Sequence, residues 1–534
     1  MPDNKYNTLI VGGGMAGLTS ATYLARAGQK VLLIEKNNEA GGLVNSFTRD
    51  GFYFDAGVRA LLDAGIIMPM FDELGISLDK VKSPVSLGVG KEIIDIESID
   101  DLEKYRELLL KLYPDSERDI NEVLKSIRRI MKHMDVLYGI ENPVFKDIPG
   151  DRKFLFQKLL PWLPRFLMTV GKINRMNMPV EDYLDKIVKD ASLRDIISQH
   201  FFRNTPAFFA MSYFSLYLDY FYPLGGVKKL ADAVRDKMYE FGGELLTGTV
   251  INKVNSVNNS ITDVNGSEYF YDDLVWAADM KTLYAITDTD NLPGNIRSKF
   301  DNKEKEIMDK RGGDSVFTIF LEIDSPLDRF SEIAHGHFFY TPSKEGLGET
   351  HRNEMDKLIA GFDGLSRKDI LAWLDKFTEL NTYEISVPGL KDPSLCPEGQ
   401  TGVIISFLAE YDLFRKVEEA GWYEEFKTEI EKRVIRVISE SVYPMLKDKI
   451  IKQFSFSPLS IKKRVSSSEG AIVGWSFTEP VPVVNKIQKS DKSVYTPIPN
   501  IYQAGQWVYS PAGVPMSILT GRLAADKILK KRKS

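Results

Sequence analysis

The sequence predicts an α/β protein of two lobes, and three observations predict it. A chain of 534 residues is too long to gather around one hydrophobic core. Its first segment reads as strand, G-x-G-x-x-G turn, helix, strand and acid within about 30 residues, the layout of a Rossmann-type dinucleotide-binding unit. Further along, a long helical stretch (100–221) and two β-branched runs, Gly313 to Ile323 and Gly402 to Ala409, describe a second α+β lobe.

Each part of the N-terminal unit has a physical task. Thr8 to Val11 is a short apolar run of the kind a buried parallel strand requires. Gly12 permits the tight turn, Gly14 lets backbone approach a pyrophosphate, and Gly17 lets the following helix pack close to the sheet. Met15 and Ala16 open that helix, whose free N–H groups and partial positive charge suit phosphate. Leu18, Ala21, Leu24 and Ala25 keep helical spacing, and Gly28 is a stop signal. The second strand, Val31 to Ile34, ends at Glu35, placed to accept from the adenosine ribose and to repel a 2′-phosphate.

The residues after Glu35 carry a resemblance. Lys36 leads to the doublet Gly41-Gly42, then Gly51-Phe52-Tyr53-Phe54-Asp55-Ala56-Gly57. This stretch resembles the phytoene desaturase, carotenoid isomerase and retinol saturase group of flavoproteins, relatives of the amine oxidases. Two later blocks extend it. The first is Tyr222-Pro223-Leu224-Gly225-Gly226-Val227, followed by Gly242-Gly243-Glu244 and then Leu274 to Asp279. The second is Asn500 to Trp507 with Gly513 to Gly521.

The resemblance implies FAD and a binding domain assembled from 1–90, 222–285 and 465–534. The substrate lobe is then a helical part, 91–221, and a sheet part, 286–464. Implied cofactor contacts are Gly12, Gly14, Met15, Ala16, Gly17, Glu35, Lys36, Gly41, Gly42, Leu43, Gly57, Val58, Arg59, Val250, Gly505, Gln506, Val514, Pro515, Met516 and Ile518. Two positions depart from the family. Leu43 stands where a basic residue is usual, and Gln506 where an aspartate is usual. Arg59 is a candidate to support flavin charge or anchor a carboxylate head group, with a structural ion pair as the alternative.

Phe209, Tyr213 and Tyr217 recur at i, i+4 and i+8, so they share one helix face. By spacing alone that face is core or channel wall; in the resembling family the helix at this place lies beside the substrate channel, and an aromatic wall suits a long apolar chain. Residues 152–175 carry Arg152, Lys153, Lys158, Arg165, Lys172 and Arg175 among aromatics and leucines, with no acid. That composition suits peripheral contact with an anionic membrane surface; its alternative is a helical lid with solvated charges. Pro161 and Pro164 predict two short helices or a bent one.

Other classes are disfavoured. A net charge of −6 gives no reason to expect nucleic acid, and a lone cysteine, Cys396, builds neither a disulfide framework nor a thiolate metal site. No stretch approaches the roughly 20 apolar residues of a membrane span, and no leader is legible, so a cytoplasmic protein is expected, with room for peripheral membrane attachment. His335-Gly336-His337 predicts an exposed strand or loop pair, since no cluster completes a metal site. The expected activity is oxidoreduction of carbon–carbon bonds (desaturation, saturation or isomerisation) in a carotenoid, retinoid or other isoprenoid. A flavin amine oxidase competes, but that branch places an aromatic residue where this chain has Val514. A non-enzymatic lipid chaperone resembling the GDP-dissociation inhibitors also competes, and the intact Glu35 and Gly41-Gly42 oppose it.

Overall fold

Five parallel strands form the spine of the first sheet, in the order Glu244–Leu246, Val31–Ile34, Lys5–Val11, Glu268–Trp276 and Ile501–Gln503. The computed structural model describes residues 4–146, 148, 150–348 and 353–533. The central strand has no polar face because both of its faces are covered. Ile10, Leu33 and Val275 turn towards helices Met15–Arg26, Lys228–Glu240 and Val514–Lys533. Leu9, Val11, Leu32, Ile34 and Trp276 turn towards helices Met280–Ile286 and Gly294–Met308. Glu268–Trp276 is long enough to serve two partners. Its first half pairs antiparallel with Ser260–Asp263, and its last three residues pair parallel with Ile501–Gln503.

The second sheet has seven strands in the order Ile450–Phe456, Ser315–Ile323, Thr401–Ala409, Tyr383–Ser386, His337–Thr341, Val85–Val89 and Glu92–Ile96. The two β-branched runs lie side by side at its centre, antiparallel and almost wholly buried. The expected boundary at residue 90 falls inside the hairpin 85–96, both strands of which belong to this second sheet. The boundary at 285–286 likewise cuts a continuous unit: Thr287–Asp288 pairs with Ile251–Asn255, and Phe300 and Ile307 complete the core of the first sheet.

The helical part packs Leu102–Leu112, Glu117–Leu137, Ala191–Ser198 and Ala207–Asp219 around one core. Of the two expected arrangements for residues 154–173, two short helices or a bent one, the separate pair is not what forms. A π-helical turn, Phe154–Leu159, runs directly into the α-helix Leu160–Ile173. Pro161 falls in the first turn of that α-helix, where a missing N–H costs little, and Pro164 lies inside it.

Candidate active site

Four glycine turns converge where the first sheet meets its helices. Gly12 turns at φ +107°, and a Cβ there would lie 2.7 Å from the Ala277 carbonyl oxygen. At Gly17 a Cβ would fall 1.9 Å from the Gly12 oxygen, so only glycine lets the helix sit on the turn. Gly14 differs: no atom lies within 4 Å of where its Cβ would be. No side chain caps the helix it starts, which leaves the N–H groups of Met15, Ala16 and Gly17 for a ligand.

The doublet closes on this turn, with Gly41 N–H donating to the Gly13 oxygen at 2.8 Å. Val58 N–H donates to the Leu43 oxygen at 3.3 Å, and Gly57 packs against that same carbonyl. Gly505 approaches the Ala16 methyl, and its N–H bonds Thr520 Oγ1 at 3.0 Å in the final helix. Val514, Pro515, Met516 and Ile518 form the first turns of that helix. A bare backbone cradle with two helix N-termini fits the pyrophosphate of a dinucleotide.

Glu35 is buried and works within the protein as well. Its Oε2 accepts from Gly13 N–H at 2.7 Å, and its Oε1 from Asn37 N–H at 2.9 Å. Thr249 N–H bonds the Glu35 carbonyl, which brings the half-exposed Val250 to the end of the second strand. Lys36 turns away from the cradle. Its Nζ donates to the Lys463 carbonyl at 2.9 Å and to Ser466 Oγ at 2.6 Å, tying the chain to a later segment. The amide of Gln506 lies 3.4 Å from Ser467 Oγ and 3.5 Å from the Ala471 oxygen.

Beyond the cradle the chain carries Arg59 into a buried polar cluster. Asp55 is fully buried and accepts from Ser46 Oγ at 2.9 Å, Tyr222 OH at 2.8 Å and Val227 N–H at 3.2 Å. Burial pushes its carboxyl above the usual range, against the pull of Lys391, Tyr222 and Arg59. The Arg59 guanidinium donates to the Asp55 carbonyl and to Ser406 Oγ, and its Nε has no partner among the described residues. Lys391 Nζ donates to the Arg59 carbonyl at 2.7 Å and to Ser386 Oγ at 2.9 Å, over the face of Tyr222. Burial lowers this ammonium to about 8, although Asp55 and Glu384 oppose the shift.

Sheet register explains why these groups meet. Across the second sheet Phe339, Glu384, Ser406 and Thr318 are direct neighbours, with His337, Ser386 and Ile404 in the next row. Glu384 bonds His337 Nε2 at 2.9 Å. Burial raises the Glu384 carboxyl, but that bond and the charges of His337, Arg59 and Lys391 bring it below its ordinary value. Phe209, Tyr213 and Tyr217 come together as expected from their spacing, ring centroids 5.5 and 5.9 Å apart. Tyr220 continues the row at 6.0 Å and stacks on His337 at 5.4 Å. The aromatic helix therefore leads to the Glu384 cluster.

The expectation of an exposed histidine pair is corrected here. His337 is 3% exposed, because its strand is covered on both sides: Phe338 and Tyr340 enter one core, while His337 and Phe339 face the aromatic row. Only His335 reaches the surface, beside Glu97 at 3.1 Å. Glu384, His337 and Lys391 were not singled out as site residues by sequence; for Glu384 the alternation of polar Glu384 and Ser386 with Tyr383 and Ile385 is the signal, while Lys391 lies in the helix Pro388–Lys391 and carries none.

Comparison with known proteins agrees with this geometry. The flavin containing amine oxidoreductase family matches residues 15–529. An all-trans-retinol 13,14-reductase of Danio rerio is 22% identical, over 98% of this chain and 86% of that protein. A carotenoid 3,4-desaturase of Haloarcula japonica is 23% identical, over 97% of each. The crystal structure of an oxidoreductase from Methanosarcina mazei has the same fold, with a TM-score of 0.58 at 14% identity over 98% of this chain and all of that one.

Proposed function

Because the chain belongs to the flavin containing amine oxidoreductase family, we propose that it is an FAD-dependent oxidoreductase acting on carbon–carbon bonds of a long apolar substrate such as a carotenoid, retinoid or other isoprenoid lipid. One observation carries the substrate class: the aromatic row from Phe209 to Tyr220 runs to the polar cluster that adjoins the cofactor cradle at Arg59. Gly12, Gly14, Gly17 and Gly41-Gly42 would hold the pyrophosphate, and Glu35 the ribose. FAD when bound supplies two-electron chemistry, exchanging a hydride with an allylic carbon. The chain's own part is to orient the apolar substrate along the aromatic wall and to exclude water. The Glu384–His337 pair is placed to hold a proton at His337 Nδ1, the ring nitrogen that Glu384 does not engage.

Substrate access through a membrane surface belongs to the same proposal. Helix Leu160–Ile173 exposes Leu160, Leu163, Leu167 and Met168, and the preceding turn exposes Phe156 at 62%. Beneath it lies a cavity of about 890 Å3, between Pro161 and Trp162 on one side and Ser215 and Leu216 of the aromatic helix on the other. None of the described helices is long and apolar enough to cross a bilayer.

The test is anaerobic reduction or reoxidation of the bound flavin against polyenes, retinoids, isoprenoids, fatty acids and primary amines. Response to the polyene or isoprenoid set supports the reading. Response to primary amines alone overturns it, as does purified protein that binds no FAD.

A further inference from the structure

Glu384 is built as a receptor for a hydrogen-bond donor. Of its two direct neighbours on the sheet, Ser406 is sealed at 3% exposure and Phe339 is partly buried, while the Glu384 side chain keeps 33% of its surface beside the aromatic row. Tyr213, Tyr217 and Tyr220 all lie close enough to feel its charge. His337 occupies Oε1, and among the described residues no donor reaches Oε2. An ionised carboxylate only accepts, so an oxygen left over in an apolar enclosure is costly until a donor fills it.

Charge selects which donor. Two cationic side chains, Arg59 and Lys391, already stand in the cluster with the two acidic ones, Asp55 and Glu384. A carboxylate end group would meet Glu384 as a like charge, and an ammonium would add a third cation beside Arg59 and Lys391. A hydroxyl satisfies Oε2 and adds no charge. We propose that the Glu384 carboxylate, oriented by His337, binds the hydroxyl end of an apolar chain, so that the substrate is an isoprenoid or polyene alcohol rather than a pure hydrocarbon. The proposal rests on the apolar-substrate reading above and adds to it the end group and the residue that recognises it.

The experiment is equilibrium binding to the FAD-loaded protein, read by quenching of tryptophan fluorescence. The probes are all-trans-retinol, its methyl ether, retinoic acid and retinylamine, which share one polyene and differ in the end group. Retinol is expected to bind about tenfold or more tightly than the ether, the strength of one hydrogen bond to a charged acceptor. The acid and the amine are expected to bind more weakly than retinol. In Glu384→Leu the preference for alcohol over ether should fall to about twofold, with Glu384→Gln between, since its amide oxygen still accepts. Flavin content and far-UV circular dichroism establish that each variant is folded. Equal binding of retinol and its ether by the unaltered protein overturns the proposal and leaves the apolar-substrate reading intact; so does an unchanged preference in Glu384→Leu, or tightest binding of the amine. Failure of every probe to bind overturns the proposal, and the apolar-substrate reading falls with it only when the flavin also fails to respond to the polyene and isoprenoid set.

Discussion

Ser20 Oγ donates to the carbonyl of Gly521 at 2.9 Å, across 501 residues of sequence. The bond marks the line along which the first and last helices touch, and the contact is close because Gly521 has no side chain. A Cβ there would lie 2.4 Å from the Ala16 carbonyl oxygen, and that carbonyl belongs to the helix whose N-terminus forms the cofactor cradle. Backbone cannot yield as a flexible side chain does. Gly521→Ala should therefore lower stability by about 1–3 kcal/mol and reduce retained flavin. Gly294→Ala, which meets open space, is the control and should change stability by no more than about 0.5 kcal/mol. Thermal unfolding together with the flavin-to-protein ratio of purified material reads both.

Glu35 holds two backbone N–H groups as well as its expected ribose contact. Removing it orphans the Gly13 and Asn37 donors next to the phosphate turn. Glu35→Ala should weaken FAD binding by about tenfold or more, since each charge-assisted bond contributes about 1.5–3 kcal/mol. Glu35→Gln keeps one acceptor and should lie between. Titration of apoprotein with FAD measures this; an affinity unchanged in the alanine variant would remove Glu35 from the site.

The phosphate turn and Glu35 were legible because their physics is local, whereas the contact of Gly521 with the first helix spans 501 residues. A glycine at φ +107° or a strand ending in an acid is written in adjacent residues, and so is the i, i+4, i+8 row of Phe209, Tyr213 and Tyr217. The Glu384 cluster was not, for a physical reason. Tyr383 and Ile385 alternate with Glu384 and Ser386, the pattern of a strand with one wet face. Period-two alternation gives the polar face but not whether water or an enclosed site lies against it. Arg59 and Lys391, 332 residues apart, meet only through the fold. The boundary at 90 failed in the same way, since Val85–Val89 finds its parallel partner at 337–341.

Lys391 gives a pH dependence with a defined sign. Its ammonium is lowered from 10.5 to about 8 in the folded protein, burial being the main cause. Between these values the unfolded chain binds more protons than the folded one, so this group makes stability rise with pH. Below about 8 the buried charge costs about 3 kcal/mol, and the cost is relieved as pH climbs to 10.5. Lys391→Met keeps the apolar stem and removes the charge. The stability of the unaltered protein minus that of Lys391→Met should increase steadily from pH 8 to 10.5, measured by urea unfolding. A flat difference would show that Lys391 carries no such shift.

The surface of residues 152–175 predicts vesicle binding with two separable parts. Arg152, Lys153, Lys158, Arg165, Lys172 and Arg175 are all exposed, and no acid interrupts them. At about 1 kcal/mol each near an anionic surface they supply attraction that salt screens over about 8 Å. Leu160, Leu163 and Leu167 share one side of the helix at 47, 41 and 54% exposure, and their insertion is insensitive to salt. The protein should co-sediment with phosphatidylglycerol vesicles, less with phosphatidylcholine, and less again at high salt. Serine at all three leucines should abolish the salt-resistant part while flavin content holds, because these side chains support no core. Glutamate at Lys158 and Arg165 should instead weaken the anionic preference, since it lowers the net charge of the segment from +6 to +2. Equal sedimentation of the triple variant and the unaltered protein would mean that the apolar side of this helix meets something other than lipid.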